Sequence, residues 1–228
     1  MRVTVRHVVD FGAQRNLVGG ALVRPDAWDA LRTRTDGPFA IAATRAELDR
    51  QADSRADIAT RARALDAWLG RRPTRRLVSY GVGGGVLECW LERLSPEREM
   101  VLTEYAPVTL ERLRALFPDR VVVRHDLRVD PPLDGQVHLF HRIDTELSNR
   151  QWRAVLRRFA SCEVLVLATE LIDGRRAAAA IRTRLRNRHV TDAGWVRNRA
   201  AFEALWRPTH QAERLRFADL HAWRLVPR

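Results

Sequence analysis

Apolar residues recur along this chain in two rhythms, a spacing of three to four residues and a series of short, nearly unbroken runs. Between Arg45 and Leu69 the positions Ile58, Ala62, Leu65, Trp68 and Leu69 fall on one stripe, which predicts one long helix. Gly70 and Pro73 stop it, since glycine tolerates the turn after a helix and proline cannot continue one. From Arg76 onward the runs LVSYGV (77–82), EMVLTEY (99–105), RVVVRHD (120–126), QVHLFHR (136–142) and EVLVLATE (163–170) read as strands. Several are apolar almost throughout, as strands covered on both faces require. VLECWLERL, PVTLERLRALF and SNRQWRAVLRRFA fill the gaps as helices, VTVRHVV opens the chain as a strand, and RLRFADL and HAWRLV supply late strands. Strand–helix alternation of this kind predicts an α/β fold, a parallel sheet with right-handed crossovers and helices on both faces.

At 228 residues, 46% hydrophobic and 30% charged, the chain suits one globular domain with an accessory segment. The division falls at residue 70: residues 1–70 form a mainly helical lid or substrate-recognition segment, and residues 71–228 carry the sheet. No apolar run approaches the ~20 residues that span a bilayer, and the N-terminus lacks the apolar core of a signal peptide, so a soluble cytoplasmic protein without membrane contact is expected. Cys89 and Cys162 lie in apolar runs and read as buried free thiols. The net charge is +12, and all 40 basic residues are arginine. That charge favours polyanions, RNA among them, although the arginines are dispersed with no block longer than the broken RRPTRR at 71–76. So absolute a preference for arginine over lysine also reflects GC-rich coding.

Four glycines fall within five positions at Gly81–Gly85, directly after the first apolar run of the sheet region. Such a loop is either a tight strand–helix turn or a cradle of backbone N–H groups for an anionic ligand. A nucleoside triphosphate loop needs Gly-Lys-Ser/Thr, and this chain has no lysine. A dinucleotide fingerprint needs a third small residue where Val86 stands. What remains is G-x-G-x-G at Gly81, Gly83 and Gly85. Glu104 ends the next strand, where an acid can accept two ribose hydroxyls without choosing between adenosine cofactors. Asp126 ends the strand after that, where it reads equally as a ligand, a helix cap or a surface charge.

Taken together, residues 77–88, 101–105, 121–127 and 136–147 resemble the class I S-adenosylmethionine-dependent methyltransferases, and the order of elements is similar over about residues 70–228. The resemblance implies a Rossmann-like, mostly parallel seven-stranded sheet with an antiparallel C-terminal strand, and S-adenosyl-L-methionine as cofactor. It implies cofactor contacts at Ser79, Tyr80, Gly81, Gly83 and Gly85, ribose binding by Glu104, adenine packing on Tyr105, and adenine recognition by Asp126 with the backbone of Leu127. One position departs from the pattern: family members usually carry an acid where Ser79 stands, and Glu88 is a candidate to compensate. An enzyme transferring methyl to an oxygen or nitrogen of a small-molecule acceptor is the expected function. An RNA or ribosomal RNA methyltransferase is the alternative, and a non-catalytic binding protein of the same fold is a third reading.

Methyl transfer from a sulfonium needs alignment and a sink for the acceptor's proton. His141 follows the fourth strand of the sheet and is the candidate general base; a hydrogen-bonded structural histidine is the competing reading. Arg142 and Glu146 are candidate substrate anchors. Strand alternation turns His138 and His141 to opposite faces, so no metal site is expected. The tryptophans at 68, 195, 206 and 223 read as core before pocket.

Overall fold

The computed structural model describes residues 2–9, 25–33, 40–168, 171–175, 178, 182 and 191–228. The end of the run at 163–170 and the alanine run at 177–180, apart from Ala178, lie outside them. The strands are β1 (Thr4–Val9), β2 (Arg76–Tyr80), β3 (Glu99–Glu104), β4 (Val121–Arg124), β5 (Val137–His141), β6 (Val164–Leu167), β7 (Thr191–Arg197), β8 (His210–Phe217) and β9 (Leu220–Pro227). The helices are α1 (Pro25–Arg32), α2 (Arg45–Ser54), α3 (Ala56–Gly70), α4 (Val86–Leu94), α5 (Pro107–Leu116), α6 (Asn149–Arg158) and α7 (Arg199–Glu203).

Seven strands form one sheet in the order β4-β3-β2-β5-β6-β9-β8. The five from β4 to β6 are parallel, and β9 runs antiparallel to both β6 and β8. The chain steps outward from β2 to β4 on one side, then returns to β5 on the other. The switch point therefore lies between β2 and β5, above the glycine loop, where open α/β sheets gather ligands. β1 pairs with β7 as a separate antiparallel ribbon.

Alternation along the strands divides the core into two layers. Leu77, Leu102, Leu139 and Leu165 face α2, α3, α4 and α5, and the α3 stripe of Ala62, Leu65 and Leu69 sits in this same layer. Val78, Tyr80, Phe140 and Val166 face α6 and α7, where Trp152, Phe202, Trp206 and Trp223 stack edge to face. Trp206 and Trp223 are thus core residues.

The long helix expected from residue 45 to residue 69 is two helices. The break is at Arg55, whose backbone leaves helical geometry (φ −107, ψ 72). Just before it, the Ser54 hydroxyl donates to the Gln51 carbonyl, the kind of local bond that competes with continuation of a helix. The Thr44 hydroxyl caps α2 by accepting from the Glu47 N–H. No helix among the described residues is long and apolar enough to cross a membrane. Cys89 and Cys162 are both free.

Candidate active site

β2 ends at Tyr80 and the chain passes through Gly81, Gly83 and Gly85 at φ of 66°, 65° and 74° before α4 begins. A side chain is excluded at Gly83 on two counts. Its backbone is left-handed, and a Cβ there would come within 2.9 Å of Arg32 Nη2. At Gly85 the same atom would meet Phe117 at 2.7 Å, so this glycine lets α5 close on the start of α4.

Glu104 is 1% exposed and accepts four hydrogen bonds. Three come from backbone N–H groups, those of Gly83 (3.1 Å), Tyr105 (2.9 Å) and Ala106 (3.1 Å). The fourth comes from Arg32 Nη1 at 2.8 Å. Arg32 ends α1, and Asp29, one turn earlier on the same face, fastens that helix down. The Asp29 carboxylate accepts from Val108 N, Thr109 N and Thr109 Oγ1 at the start of α5, which has no side-chain cap of its own. The segment before residue 71 thus enters the site through α1, on the carboxylate side.

Asp126 is held by Arg128, with Nε to Oδ1 at 2.8 Å and Nη2 to Oδ2 at 2.7 Å. Burial works to raise the Asp126 pKa, but the Arg128 bonds outweigh it and hold the carboxyl below its usual range. The Arg128 guanidinium also lies over the Tyr105 ring, 4.9 Å from its centroid. Tyr105, Asp126, Leu127, Arg128, Gly81 and Glu146 line a common, half-open cleft with a volume of about 50 Å³. Thr103 and His125 line it too, and Thr103 Oγ1 and His125 Nδ1 are buried with no hydrogen-bond partner among the described residues. Burial pushes the Glu146 carboxyl up to about 7, with Arg32 opposing and Glu104 adding to the shift.

Ser79 is buried on the α4 side and donates to Glu88 Oε1 across 2.7 Å. Glu88, in the first turn of α4, is pushed up to about 7 by burial, against the pull of that bond. Tyr80 departs from its expected role: its ring points to the opposite face, packed among His125, His138, Phe140 and Phe159. Its hydroxyl meets Leu133 N and His138 Nδ1, so only its backbone reaches the loop.

His141 ends β5 on the α3 side, away from His138. Burial drives its pKa down to about 3, and the charges of Arg61 and Arg142 add to the effect. Arg142 follows in a left-handed conformation (φ 58°) with its side chain exposed. Glu146 stands apart from them, with the cleft residues. Arg61, Arg32, Arg128, Thr103 and His125 were not marked by the sequence; their only signal is their position one or two residues from a strand end or within a helix stripe.

The loop at the switch point, with carboxylates at the ends of the next two strands, belongs to the class I S-adenosylmethionine-dependent methyltransferase fold, and solved structures bear this out. The chain is similar to human N-acetylserotonin methyltransferase in complex with S-adenosylmethionine, with a TM-score of 0.59 and 15% identity over 81% of this chain and 56% of that one. It is similar to mitomycin 7-O-methyltransferase, with a TM-score of 0.58 and 22% identity over 75% of this chain and 54% of the other. An O-methyltransferase family protein from Burkholderia thailandensis gives a TM-score of 0.58 and 14% identity over 89% and 60%. The chain thus spans little more than half the length of these proteins. No protein-family profile and no curated protein sequence matches it.

The residues present fit the cofactor of that fold. Glycine backbone, two strand-end carboxylates and the unpartnered Thr103 hydroxyl offer the acceptors and donors an adenosine group takes. The fit has one condition: Arg32 occupies the Glu104 oxygen that a ribose hydroxyl would use.

Proposed function

We propose that the protein is a methyltransferase that takes S-adenosyl-L-methionine as cofactor and modifies an oxygen or nitrogen of a small-molecule acceptor. The observation that carries this reading is the convergence of the Gly81–Gly85 loop, Glu104 and Asp126 at the switch point of the sheet. N-acetylserotonin and mitomycin, the molecules named in two of the similar structures, support a small acceptor. The free thiols of Cys89 and Cys162 support a reducing compartment, and hence the cytoplasm.

Bound in the cleft, the cofactor supplies a methyl group already activated by its sulfonium. Glu104 would hold the ribose hydroxyls with Arg32 displaced from its oxygen, and Asp126 with the Leu127 backbone would recognise adenine beside Tyr105. Ser79 and Glu88 lie behind the loop, where other members of the fold carry one acid. His141 is neutral in the free protein, so its lone pair is available to receive the acceptor's proton. Residues 1–70, through α1, act as the lid over this site.

Isothermal titration with S-adenosylhomocysteine tests the reading. Saturable binding that is weakened by Glu104→Ala is expected, and the absence of binding up to about 1 mM ligand overturns it.

A further inference from the structure

Seven buried side-chain nitrogen or oxygen atoms among the described residues have no hydrogen-bond partner, and five of them lie at the carboxyl edge of the sheet. Thr103 Oγ1 and His125 Nδ1 belong to the cofactor cleft. The other three, Arg61 Nε, Arg61 Nη1 and His141 Nε2, form a second group on the α3 side. Arg61 is 2% exposed, a rare state for a guanidinium. Its acidic neighbours are both met by one nitrogen. Nη2 donates to the two Asp219 oxygens at 2.9 and 3.1 Å, and lies 3.8 Å from Asp57 Oδ2. The remaining donors, Nε and Nη1, find no acceptor among the described residues, and the charge of Arg61 is felt by both His141 and Arg142.

Leaving buried charged donors unmatched is costly, and water-excluding sites that keep them do so for a ligand of opposite charge. A neutral hydroxyl or amine would bring no counter-charge to Arg61 and Arg142 beyond that of Asp57, Asp144 and Asp219. An anionic oxygen satisfies the guanidinium and brings the counter-charge as well.

We propose that Arg61 is the anchor of an anion subsite, and that the acceptor carries a carboxylate which binds there beside His141. The inference rests on the methyltransferase reading for the word acceptor, but not for the subsite. Burial is the main reason His141 is a weak base, and the charges of Arg61 and Arg142 add to it. A bound carboxylate offsets that added field, so the acceptor's own charge favours the imidazole taking a proton from its hydroxyl or amine. A neutral analogue of the same acceptor leaves that field in place. Recognition and proton transfer are then coupled through one arginine.

The test uses the full chain, titrated with acetate and benzoate and with their uncharged counterparts acetamide and benzamide, each with and without S-adenosylhomocysteine. Affinity is read by calorimetry, and the site by the ¹⁵N resonance of His141 Nε2. The carboxylates are expected to bind at least about tenfold more tightly than the amides and to move that resonance. Arg61→Gln should abolish the preference and Arg61→Lys keep part of it. Equal affinity for acid and amide, no binding of either carboxylate, or a preference that survives Arg61→Gln overturns the proposal. If Arg61→Gln does not fold, the acid–amide comparison on the unsubstituted protein decides. Carboxylate binding without any binding of S-adenosylhomocysteine would leave the subsite standing and remove the methyltransferase reading instead.

Discussion

Ser79 Oγ donates a hydrogen bond to Glu88 Oε1 across 2.7 Å, at the junction of β2 and α4, with both side chains sealed from water. An acid thus stands nine residues after Ser79, on the helix that the glycine loop opens. Its burial has a consequence for stability. Glu88 titrates at about 7 in the fold against 4.5 for an unperturbed glutamate. Between those values the folded chain holds a proton that the unfolded chain has released, so stability falls as pH rises through that window. The loss amounts to roughly 3 kcal/mol by pH 8 at ~1.4 kcal/mol per unit. Glu88→Gln, which keeps an oxygen for Ser79 and cannot ionise, should flatten this slope and be the more stable protein above pH 7. Urea denaturation at pH 5 and pH 8 measures both; parallel slopes in the two proteins would remove Glu88 from the account.

Ser79→Asp sets a second carboxylate against the first. Two acids in one buried pair cannot both ionise without cost, and a substitution of this kind should cost about 1–3 kcal/mol near neutral pH. Combined with Glu88→Gln, the aspartate faces an amide donor and the cost should largely vanish. A double-mutant cycle on denaturation free energies reads the coupling directly, and additive effects would show that the two positions do not sense one another.

On the proposed reading, Arg32 and the cofactor would compete for one oxygen of Glu104. Hydrogen bonds to a charged partner are worth ~1.5–3 kcal/mol, so Arg32→Met should tighten S-adenosylhomocysteine binding by about tenfold or more. The three backbone donors to Glu104 remain, which keeps the buried carboxylate satisfied in the variant. Weaker binding in calorimetry would mean that Arg32 is a ligand of the cofactor and not its competitor.

The same chemistry explains which parts of this molecule could be read from its sequence. The centre of the sheet was legible because β2, β3, β5 and β6 are apolar and buried almost throughout, and the loop because three glycines at that spacing serve backbone positions that other residues resist. The places of Glu104 at the end of β3 and of Asp126 just after β4 were legible from the strand runs. The break at Arg55 was not, because the apolar stripe runs on through Leu48, Ala52 and Ile58 while the backbone turns. The ribbon partner of β1 was missed for a related reason. Its strand carries Gly194, needed where a Cβ would strike the Thr145 carbonyl, and a glycine in a polar run reads as a turn. Arg32 and Arg61 were hidden among 40 arginines, since nothing local distinguishes a buried guanidinium from a solvated one. The side taken by the Tyr80 ring was not legible, because adjacency to the loop says nothing about which face of β2 a ring takes.

Asp29 holds α1 to the sheet by capping α5. Removing such a cap costs ~1–2 kcal/mol, so Asp29→Ala should lower stability by that amount. The loss should fall on α1 more than on the core, because Leu110, Leu113 and Leu116 remain buried. Limited proteolysis is expected to cut within residues 25–33 faster in the variant, with the remainder of the chain resistant. Uniform acceleration across the chain would show that the cap supports the whole fold and not α1 alone.

His141 and Glu146 make opposite predictions for the pH dependence of catalysis. The kcat/KM profile reports ionisations of the free enzyme. His141, at about 3, is already neutral throughout the physiological range and contributes no acid limb there. Glu146, at about 7 and lining the cofactor cleft, does titrate there, its charged form balancing Arg32 and Arg128. An ionisation near 7 in kcat/KM is therefore expected to disappear in Glu146→Gln and to persist in His141→Ala. His141→Ala should instead lower kcat by about 10²–10⁴-fold at every pH while leaving S-adenosylhomocysteine affinity unchanged. If His141→Ala removes the ionisation near 7, the histidine titrates as an exposed one would, and its burial against Arg61 and Arg142 is not what sets its basicity.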